Sequence, residues 1–582
     1  MPELDNVAIA RQLELMADLL EIEGADKFRF LSYRKAANAV RAWPEQLSSL
    51  ARDDRLTEVP GIGKKLAASI AELLHHGSFP ELEEAKKRFP PGLVQVMDIP
   101  GVGPKRARQF FDKLGIDSLE ALDKALDAGK VARLGGMGEK TAANIRRGLT
   151  TYLSHHGRML LGEALPLAEL IAEQLRSLPG VERAEPAGSV RRMQETIGDI
   201  DILVSSAEGE RVMQAVTELP AVAEVIASGR TKTSVLTTSG PQVDVRVVEP
   251  AQFGAALQYF TGSKEHNVHL RELAKQHGLK VNEYGVYRIG PDGSEGERLG
   301  GAREEEVYEL LGMQTPAPEI RHDTGEIEAA CAGELPRLLE LGDIRGDFHA
   351  HTSSTDGQAT LEENRAMAAG LGYEYIAVSD HAHDLRMVGG LGLDELEAQW
   401  ANVDELNSDG SGLPVILKGI ELNIGEGGRV DYGPEVLSRF DFCIASLHSG
   451  WNDDAETVTE RLLAAMDNPY VDIIGHPTGR VIGRREPLAL DMEQVLAKAA
   501  TTGTIMEVNA YPDRLDLKDT HVRLAVKSGV RIAIGCDAHR VEHMRYMRYG
   551  VATARRGWLT PDACLNAQPL ETVRAWLRRA RA

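Results

Sequence analysis

Apolar residues recur with two different periods along the chain, and the change of period separates a helical front part from a mixed rear part. Residues 5–155 carry apolar positions at helical spacing throughout, as residues 8–22 illustrate. From Leu161 to about Val248, helical and alternating segments are mixed. From Ile344 onward, short apolar runs of strand length recur with helical patterns between them. The pattern predicts an all-α region followed by two regions that contain both helices and strands.

Two aspartates share one face of a predicted strand in the mixed region. The segment from Asp199 to Val204 alternates and is rich in β-branched residues, and side chains two apart on a strand point the same way. Asp199 and Asp201 are therefore close neighbours. A second alternating strand, residues 242–248, carries Asp244 near its start. Such carboxylates repel one another unless cations bind between them, and hard divalent ions such as Mg²⁺ take carboxylate oxygens.

The residues just before these aspartates are suited to binding phosphate. Gly188-Ser189 and Arg192 would supply a backbone N–H group, a hydroxyl and a guanidinium for a triphosphate. An Asp-x-Asp pair alone is more often a solvent-exposed acidic strand edge. The Gly-Ser segment, the spacing and the third aspartate together favour a two-metal site for phosphoryl transfer.

This Gly-Ser…Gly-Asp-x-Asp pattern resembles the nucleotidyltransferase superfamily. Tyr259-Phe260-Thr261-Gly262-Ser263 resembles the corresponding segment of the family X DNA polymerases, of which DNA polymerase beta is a member, and the resemblance covers roughly residues 10–315. It implies that Asp199, Asp201 and Asp244 are catalytic and bind two Mg²⁺ or Mn²⁺ ions. It also implies that the nucleotide phosphates contact Gly188, Ser189, Arg192 and Gly198, that the sugar contacts Tyr259, Phe260 and Gly262, and that the base and template contact Asn267 and Arg271.

Three short glycine motifs repeat in the helical front part, at residues 59–65, 99–106 and 134–140. Each is apolar-x-Gly-apolar-Gly followed by a basic helix start. A single copy is more often an ordinary glycine-capped turn, but three matching copies favour contact with a DNA backbone. They resemble helix-hairpin-helix motifs, in which glycines let the backbone approach a phosphate and the N–H groups of a helix N-terminus point at it. The candidate DNA-binding residues are Gly61, Gly63, Lys64, Lys65, Gly101, Gly103, Lys105, Gly136, Gly138 and Lys140.

Relatives of DNA polymerase beta carry a lysine in the helix after the first hairpin, and this lysine removes a 5′-deoxyribose phosphate through a Schiff base. Alignment on the first glycine motif puts Ser69 at that position, and serine forms no imine. Tyr33, Arg34 and Lys35 match the family's 5′-phosphate pocket. The resemblance therefore implies that Tyr33 and Lys35 contact DNA near a 5′-phosphate but that lyase activity is inefficient. A lysine of the first hairpin would substitute only weakly.

Seven apolar runs in the rear part each end in a residue type that binds metal. They end at or near His351, His381, Glu421, His448, His476, Asn509 and His539. About 240 residues of repeated strand-helix units suggest a parallel α/β barrel, whose active site lies at the carboxyl ends of the strands. The oxygen and imidazole donors suit Zn²⁺, Mn²⁺ or Fe and argue against a zinc finger.

This pattern resembles the polymerase and histidinol phosphatase domain, or PHP domain, from about residue 343 to 575. The resemblance implies up to three metal ions and phosphoester hydrolysis at DNA 3′ ends. It assigns one ion to His349, His351, Glu421 and Asp537, a second to Glu421, His448 and His476, and a third to Asp356, His381 and His539. Arg480 is a candidate phosphate-binding residue because it lies near these ligands in the sequence.

The charge distribution decides where DNA contact is expected. The 582 residues carry a net charge of −22, but residues 1–160 hold 24 Lys+Arg and 22 Asp+Glu, so the acidic excess lies beyond residue 160. DNA contact is therefore expected in the near-neutral front part, through local patches. The sequence has no apolar run of membrane length, no signal-peptide pattern and four cysteines without metal-ligand spacing. It therefore predicts a cytoplasmic monomer with free thiols and no membrane partner.

The sequence predicts a multidomain fold with an all-α helix-hairpin-helix N-terminal region, an α+β nucleotidyltransferase palm and a C-terminal α/β distorted TIM-like PHP barrel. The predicted domains are a lyase-like helical domain at 1–95, a fingers-like region at 96–158, the palm at 159–250, a thumb-like region at 251–315, a linker at 316–342 and the PHP domain at 343–582. One linker helix is expected over residues 334–341.

The main hypothesis is a DNA-directed DNA polymerase that uses dNTPs to fill short gaps in duplex DNA during repair, joined to a metal-dependent 3′-5′ exonuclease or phosphoesterase. Two alternatives stay open. One is a polymerase whose PHP domain is structural and catalytically silent. The other is a non-enzymatic scaffold that binds DNA ends, although a scaffold has no need of three clustered carboxylates beside a phosphate site.

Overall fold

The computed structural model describes residues 6–42, 47–59, 61–99, 101–155, 158–290, 292–385 and 388–577. Pro60 and Pro100, which belong to the first two glycine motifs, lie outside these ranges. The buried apolar residues form separate clusters along the chain. One cluster runs from Ile9 to Leu149, and another begins at Leu161. The helical front part therefore has a hydrophobic core of its own.

The front part is helical, as predicted. Ile9, Leu13 and Met16 are fully buried because apolar residues at this spacing share one face of the first helix. The helices are α1 (Asn6–Glu23), α2 (Lys27–Ala42), α3 (Leu47–Arg52), α4 (Lys64–His76), α5 (Pro80–Arg88), α6 (Gly92–Met97), α7 (Pro104–Leu114), α8 (Leu119–Asp127) and α9 (Glu139–His155).

The three glycine motifs fold into the same turn. The first glycine of each has a left-handed φ, at +83° in Gly61, +87° in Gly101 and +81° in Gly136, and glycine adopts this conformation without steric cost. The second glycine of each motif directly precedes α4, α7 or α9. The predicted repeat is therefore a structural repeat. Equivalent backbone hydrogen bonds close the turns, from the N–H groups of Ile62, Val102 and Met137 to the carbonyl oxygens of Val59 (3.0 Å), Ile99 (2.8 Å) and Leu134 (3.0 Å).

The mixed region forms a five-stranded sheet with helices on it. Its elements are β1 (Met159–Leu160), α10 (Leu161–Arg176), β2 (Val181–Pro186), α11 (Gly188–Arg191), β3 (Thr196–Ile197), β4 (Ile200–Ser206), α12 (Gly209–Thr217), β5 (Val222–Ser228), β6 (Lys232–Thr237) and β7 (Gln242–Val248). The strand order is β2-β4-β7-β6-β5, in which β4 and β7 are parallel and the other neighbours are antiparallel.

Alternation along β4 decides which way Asp201 points. Ile200, Ile202 and Val204 belong to the apolar cluster that includes α10. Leu203 belongs to a different cluster, with Phe253 of the next region. Because successive side chains on a strand point to opposite faces, Asp201 lies on the face of Leu203.

The thumb-like region consists of α13 (Phe253–Thr261), α14 (Lys264–Gln276), β8 (Leu279–Asn282), β9 (Gly285–Ile289), β10 (Glu295–Gly300) and α15 (Glu304–Glu309). The hairpin expected near residues 282–285 connects β8 to β9. Its turn is stabilised by Asn282, whose side-chain oxygen accepts the backbone N–H groups of Tyr284 (2.9 Å) and Gly285 (3.1 Å).

The predicted linker helix over residues 334–341 is wrong, because those residues are irregular up to a short 3-10 turn at Leu341–Asp343. The helix of this segment, α16 (Glu326–Ala332), lies earlier. It ends at Gly333, whose φ is +73°, and Pro336 disfavours a helical conformation for the residue before it.

The rear part is a series of parallel strands separated by helices. Its strands are β11 (Gly346–Asp347), β12 (Tyr375–Val378), β13 (Val415–Lys418), β14 (Glu421–Asn423), β15 (Ile444–Ser446), β16 (Ile473–Gly475), β17 (Ile505–Asn509) and β18 (Ile532–Gly535). Its helices are α17 (Leu361–Gly370), α18 (Leu393–Asn407), α19 (Pro434–Leu437), α20 (Ala455–Asp467), α21 (Met492–Thr502), α22 (Asp519–Lys527), α23 (Met547–Arg556) and α24 (Leu570–Leu577).

These strands form two parallel sheets, ordered β11-β12-β13 and β14-β15-β16-β17-β18. The predicted α/β region with parallel strands is confirmed. Isolated parallel bridges connect the two sheets, between His381 and Glu421 at one side and between Ala350 and Ala538 at the other. The carboxyl ends of all these strands therefore face one shared space.

The rear part also packs against the palm. Ile482, Leu515 and Tyr549 are buried in the same apolar cluster as residues of α10 and β4. Each of these residues comes from a loop or helix near the carboxyl ends of the parallel strands. Within the described ranges, none of the helices has the length and the apolar character needed to cross a membrane.

Candidate active sites

The palm brings its three predicted carboxylates to one edge of the sheet. Asp201 on β4 lies directly opposite Asp244 on the neighbouring parallel strand β7. Asp199 immediately precedes β4 and is exposed. Asp201 and Asp244, 43 residues apart in the sequence, thus become neighbours, because adjacent strands lie about 4.8 Å apart.

The close approach of the carboxylates affects the pKa of Asp201. Burial, together with the charges of Asp199 and Asp244, raises the pKa of Asp201 to about 6. Burial acts in the same direction on Asp244, but hydrogen bonds from Lys232, Ser234 and Gln242 outweigh it and lower the pKa of Asp244. Lys232 Nζ lies 2.5 Å from the Asp244 carboxylate. A crowded set of oxygen donors that already attracts a cation fits a divalent metal ion.

Glycine is required at position 188 for two reasons. Its φ is +59°, and a Cβ atom built there would lie 2.4 Å from the Oδ2 atom of Asp201. Gly188 begins the short helix α11, which also contains Ser189. The predicted phosphate-binding segment therefore lies directly against the predicted metal-binding carboxylate. Gly198 is less constrained, since a Cβ atom there would lie 3.2 Å from the Arg158 guanidinium.

The nucleotide-selection segment meets the phosphate-binding segment. Arg192 donates a hydrogen bond to the carbonyl oxygen of Thr261, and its guanidinium borders Gly262, whose φ is +73°. Burial, together with the charge of Arg556, lowers the pKa of Arg192. The structure thus brings Arg192 and Gly262 together from positions 70 residues apart.

The remaining predicted nucleotide contacts follow along α13 and α14. The rings of Tyr259 and Phe260 meet edge to face, with centroids 5.1 Å apart. The Asn267 side chain donates to the Tyr259 carbonyl oxygen at 2.7 Å. Arg271 Nε donates to the Asn267 carbonyl oxygen at 3.0 Å. These contacts fix the orientation of the segment.

A buried ion-pair network that no local sequence pattern marks supports this site. Glu304 accepts two hydrogen bonds from Arg191, at 2.7 and 2.6 Å, and one from Arg321 at 2.6 Å. Burial opposes ionisation of Glu304, but Arg321 and Arg191 lower its pKa to about 2. Arg191 also donates to Thr261 Oγ1 at 2.7 Å. Arg321 lies in the segment predicted to be a linker, where the sequence has no periodic pattern that would mark it.

The hairpin residues predicted to bind DNA lie on the surface. The two glycines and the following lysines of each motif are exposed, whereas Ile62 and Val102 between the glycines are buried and Met137 is half-buried. A Cβ atom built on Gly61, Gly63, Gly103, Gly136 or Gly138 would meet nothing within 4 Å. At Gly63, Gly103 and Gly138, internal packing therefore does not explain the glycine.

The predicted 5′-phosphate pocket is occupied by internal contacts. Tyr33 is buried and its hydroxyl donates to Glu81 at 2.7 Å. Lys65 Nζ lies 2.7 Å from the same carboxylate, and Arg34 pairs with Asp18 at 2.8 Å. Lys35 is exposed. Ser69 Oγ donates to the Lys65 carbonyl oxygen at 3.3 Å.

The rear part gathers its predicted ligands around the carboxylate of Glu421. His381 Nδ1 lies 3.0 Å from Glu421 Oε2, and His349 and His351 approach the same oxygen to 3.5 and 3.7 Å. The other oxygen, Oε1, has His476 at 3.0 Å and His448 at 3.3 Å. One carboxylate thus lies between five imidazoles.

Two further carboxylates complete the cluster. Asp356 Oδ2 lies 3.2 Å from His539 Nε2 and 3.5 Å from His381 Nε2. Asp537 Oδ1 lies 3.2 Å from His351 Nε2 and 3.7 Å from His349 Nε2. Close groups of possible ligand atoms are His349 with His351 and Glu421, His381 with Glu421 and His448, and His351 with Asp356, His381 and His539.

Two features of the cluster suit metal ions: the types of donor atom, and the number of buried donor atoms that have no hydrogen-bond partner within the described ranges. Burial lowers the pKa of His381, but Glu421 and Asp356 outweigh it and raise that pKa to about 10. In the same way, Asp356 and Asp537 raise the pKa of His539 to about 9 against burial. Several buried ring nitrogens and oxygens meet no hydrogen-bond partner within the described ranges, which native interiors rarely tolerate. They are His349 Nε2, His351 Nδ1 and Nε2, Asp356 Oδ1, His381 Nδ1, Glu421 Oε2 and His476 Nδ1.

Three residues orient the ligands and were given no role from the sequence. Glu507 accepts from His349 Nδ1 at 2.6 Å and from the His476 backbone N–H at 2.6 Å. Asn423 accepts from His448 Nδ1 at 2.7 Å, and Asn509 donates to Asp537 at 3.0 Å. Such partners fix which ring nitrogen faces a metal. Glu507 and Asn509 end one of the seven apolar runs, so the signal was present in the sequence.

Arg480 is not placed to bind a substrate phosphate. Its guanidinium donates to Glu195 of the palm at 2.7 Å and to the carbonyl oxygens of Arg514 and Leu515. The prediction for Arg480 is therefore wrong, and the residue connects the two parts of the molecule. Arg514 lies at the cluster instead, with Nε 3.7 Å from Asp537 Oδ2.

Comparison with known proteins identifies the class of this molecule. A helix-hairpin-helix domain model matches residues 4–79, a SAM-like helix-hairpin-helix tandem model matches residues 94–151, and the DNA polymerase beta thumb model matches residues 256–322. The DNA polymerase/3′-5′ exonuclease PolX of Bacillus subtilis (strain 168) is 36% identical over 573 residues, which cover 98% of this chain and 99% of that protein. The chain belongs to the family X DNA polymerases that carry a PHP domain.

Two further relatives each match part of the chain. DNA polymerase lambda of Rattus norvegicus is 27% identical over 341 residues, 54% of this chain and 56% of that protein. A probable phosphatase of Thermoanaerobacter sp. (strain X514) is 32% identical over 231 residues, 38% of this chain and 89% of that protein. The chain thus resembles both a polymerase and a separate, smaller protein named as a phosphatase.

Proposed function

We infer that this protein is a DNA-directed DNA polymerase and a 3′-5′ exonuclease, with the two activities at separate sites. The assignment of two sites rests on the separate positions of the two ligand clusters in the fold. The carboxylates of Asp201 and Asp244 lie on the palm sheet, whereas the Glu421 cluster lies at the strand ends of a different core. The 36% identity to the Bacillus subtilis polymerase and exonuclease extends over both regions.

At the palm, the primer 3′-hydroxyl would attack the α-phosphate of a dNTP. We propose that Asp199, Asp201 and Asp244 hold two Mg²⁺ or Mn²⁺ ions, which when bound favour the hydroxyl's deprotonation and neutralise the triphosphate. The N-terminus of α11 and the Ser189 hydroxyl would hold the phosphates against Asp201. Arg192 would supply positive charge beside Gly262, where the sugar pocket begins.

At the rear site, a phosphodiester at a DNA 3′ end would be hydrolysed. A ring of parallel strand segments joined by bridges at both sides supports the description as a distorted TIM-like PHP barrel. The donor set of imidazoles and carboxylates supports up to three Zn²⁺, Mn²⁺ or Fe ions. Glu507, Asn423 and Asn509 would hold His349, His448 and Asp537 in the orientation that such ions need.

The front part would hold the DNA. The exposed glycines and lysines of three equivalent turns support contact with the phosphate backbone and not with bases. The turns directly precede α4, α7 and α9, and all three lie before the palm. This arrangement supports a short gap in duplex DNA as the substrate, because several separate backbone contacts can hold both sides of a gap in one monomer.

One experiment separates the two sites. A labelled primer on a gapped duplex is incubated with Mn²⁺, with and without dNTPs, using three proteins: wild type, Asp199→Ala with Asp201→Ala, and His349→Ala with His351→Ala. The aspartate variant should lose primer extension and keep primer shortening, and the histidine variant should do the reverse.

Each alternative has its own outcome in this assay. If wild type extends no primer with Mg²⁺ or Mn²⁺, the protein is a DNA-end-binding scaffold. If the histidine variant shortens the primer as fast as wild type does, the rear site is not the exonuclease. Glu305→Gln serves as a matched control, because Glu305 is exposed and lies outside both sites.

A further inference from the structure

An exposed tryptophan stands at the rim of the rear site. Trp451 is 39% exposed, which is unusual for so large an apolar side chain. The Arg485 guanidinium lies over its ring, with Cζ 3.9 Å from the centroid. A Cβ atom at Gly479 would lie 2.6 Å from the indole, so glycine is needed there to seat the ring, and the Gly479 carbonyl oxygen accepts a hydrogen bond from Arg485 Nε at 2.7 Å.

The chain places this indole beside the histidine cluster. Trp451 follows His448 by three residues, and Gly479 follows His476 by three residues. The strands that precede them, β15 and β16, are parallel neighbours, so both loops leave the same carboxyl edge of the sheet. The indole therefore lies against the loops that carry His448 and His476.

The loop that carries Trp451 is held by a buried arginine. Arg461 is 5% exposed and donates to the carbonyl oxygens of Ser449 (3.1 Å) and Gly425 (3.1 Å) and to the carboxylate of Asp453 (2.9 Å). A loop fixed on both sides of Trp451 holds the ring in place before any ligand arrives, which lowers the entropic cost of binding.

Arg485 contacts the indole, and Arg514 lies beside the carboxylate of Asp537. Arg514 Nε lies 3.7 Å from Asp537 Oδ2, and within the described ranges its guanidinium meets no acceptor at hydrogen-bond distance. The Ile482 backbone N–H donates to the Asp513 carbonyl oxygen at 2.6 Å, and Arg480 Nε donates to the Arg514 carbonyl oxygen at 2.8 Å, so the loop that leads to Arg485 packs against the loop that carries Arg514. Guanidinium groups with unused donors are suited to phosphate oxygens.

A planar ring, a stacked cation and a second cation with free donors match the repeating parts of one polynucleotide strand. Nucleobases stack on aromatic side chains, and the phosphate between them needs a cation. A protein segment would use the exposed indole but would leave the Arg514 donors unexplained.

We propose that Trp451 and Arg485 form a nucleobase subsite and that Arg514 binds the adjoining phosphate, so that the rear site holds the last nucleotides of an unpaired DNA strand. This inference rests on the proposed exonuclease function. It adds the residues that recognise the strand, and it requires a base to be present at one defined position near the 3′ end.

The test uses single-stranded oligonucleotides in which a tetrahydrofuran residue without a base replaces the last, the second or the third nucleotide from the 3′ end. The measured quantity is kcat/KM for release of the terminal nucleotide with Mn²⁺. For wild type, removal of the base at one of these positions should lower kcat/KM about tenfold, because one stacked base is lost.

The variants separate stacking from phosphate binding. Trp451→Ala should lower kcat/KM about tenfold on the intact strand and should no longer respond to the missing base. Trp451→Phe keeps a stacking ring and should stay within about threefold of wild type. Arg514→Gln should lower kcat/KM about a hundredfold on every strand, and Arg514→Lys should restore part of it, with the bound manganese per chain unchanged in both.

Controls identify what has failed. Leu413→Ala removes an equally exposed apolar side chain just before β13, at the opposite end of the strands, and should behave as wild type. Primer extension at the palm reports that each variant is folded. If wild type shortens no strand, both the proposed exonuclease function and the proposed subsite are wrong. The subsite is overturned if removal of the base lowers kcat/KM of Trp451→Ala as much as that of wild type, or if Arg514→Gln loses its bound manganese. Either result would leave the exonuclease function unaffected.

Discussion

Asp201 and Asp244 face each other across the parallel pair β4 and β7, and Gly188 lies against the carboxylate of Asp201. The spacing of these atoms leaves no room for a side chain at position 188. The phosphate-binding turn and the metal-binding carboxylate are therefore one packed unit, and a change in either is expected to disturb the other.

Gly188→Ala is expected to abolish most primer extension. The added methyl group would lie 2.4 Å from Asp201 Oδ2, and its backbone φ of +59° is strained for alanine by about 1 kcal/mol. Primer shortening should be unchanged, because the rear site has a separate core. Gly229→Ala is the matched control, since it lies in the same sheet region with its nearest contact at 3.5 Å. Wild-type extension by Gly188→Ala would contradict the packing argument.

Two ion pairs that join the palm to the rear part are expected to differ in their contribution to stability. Glu195→Gln should lower the unfolding free energy by about 1–3 kcal/mol, because it leaves the 9% exposed Arg480 side chain without its anion. Glu169→Gln removes a pair with Arg548 whose side chains are 46% and 35% exposed, and should cost less than about 0.5 kcal/mol. Urea unfolding of both variants measures the difference. Equal effects would show that Arg480 contributes no more than a surface pair.

Glu304 is expected to make stability depend on pH. Its pKa is about 2 in the folded protein, below the ordinary value of 4.5, so its contribution is present above pH 4.5 and is lost as the pH falls toward 2. Glu304→Gln should therefore destabilise the protein at pH 7, by at most about 3 kcal/mol. The difference in unfolding free energy between Glu304→Gln and wild type should become smaller as the pH falls from 5 to 3. Urea unfolding at each pH measures this difference. The control variant Glu305→Gln, at an exposed neighbouring position, should differ from wild type by the same small amount at every pH.

DNA affinity is expected to depend on the hairpin lysines through charge alone. Lys105→Ala should weaken binding to a gapped duplex similarly for any sequence and should reduce the slope of log affinity against log salt by about one. Lys113→Ala, at the far end of the same helix α7, is the control. An unchanged salt slope for Lys105→Ala would exclude this lysine from the phosphate contacts.

Efficient lyase activity is not expected. Ser69 has no amine, and Lys65 is held at 2.7 Å from the Glu81 carboxylate, which also accepts from Tyr33. A lysine nitrogen held in an ion pair with a carboxylate is a poor nucleophile. Borohydride treatment of the protein with a 5′-deoxyribose phosphate substrate should trap almost no covalent adduct. Strong trapping that disappears in Lys65→Ala would show that the pair with Glu81 opens in the complex.

The sequence alone was enough to predict the elements and the chemistry that depend on local pattern. Helical spacing predicted the front part, and alternation predicted the strands at Asp199 and Asp244. The three glycine motifs adopt the same left-handed turn because glycine at that position allows it whatever surrounds it. The ligand types at the ends of the apolar runs likewise follow from the strands that carry them.

Only the tertiary structure decided which residues meet. Arg321 lies in a segment without local signal, yet it is buried against Glu304 beside the nucleotide site. Arg480 is close in sequence to the metal-type histidines but pairs with Glu195, and Arg514 takes the place beside Asp537. Long arginine side chains can reach in several directions, so the packing of the palm against the rear part, and not the local pattern, selects their partners.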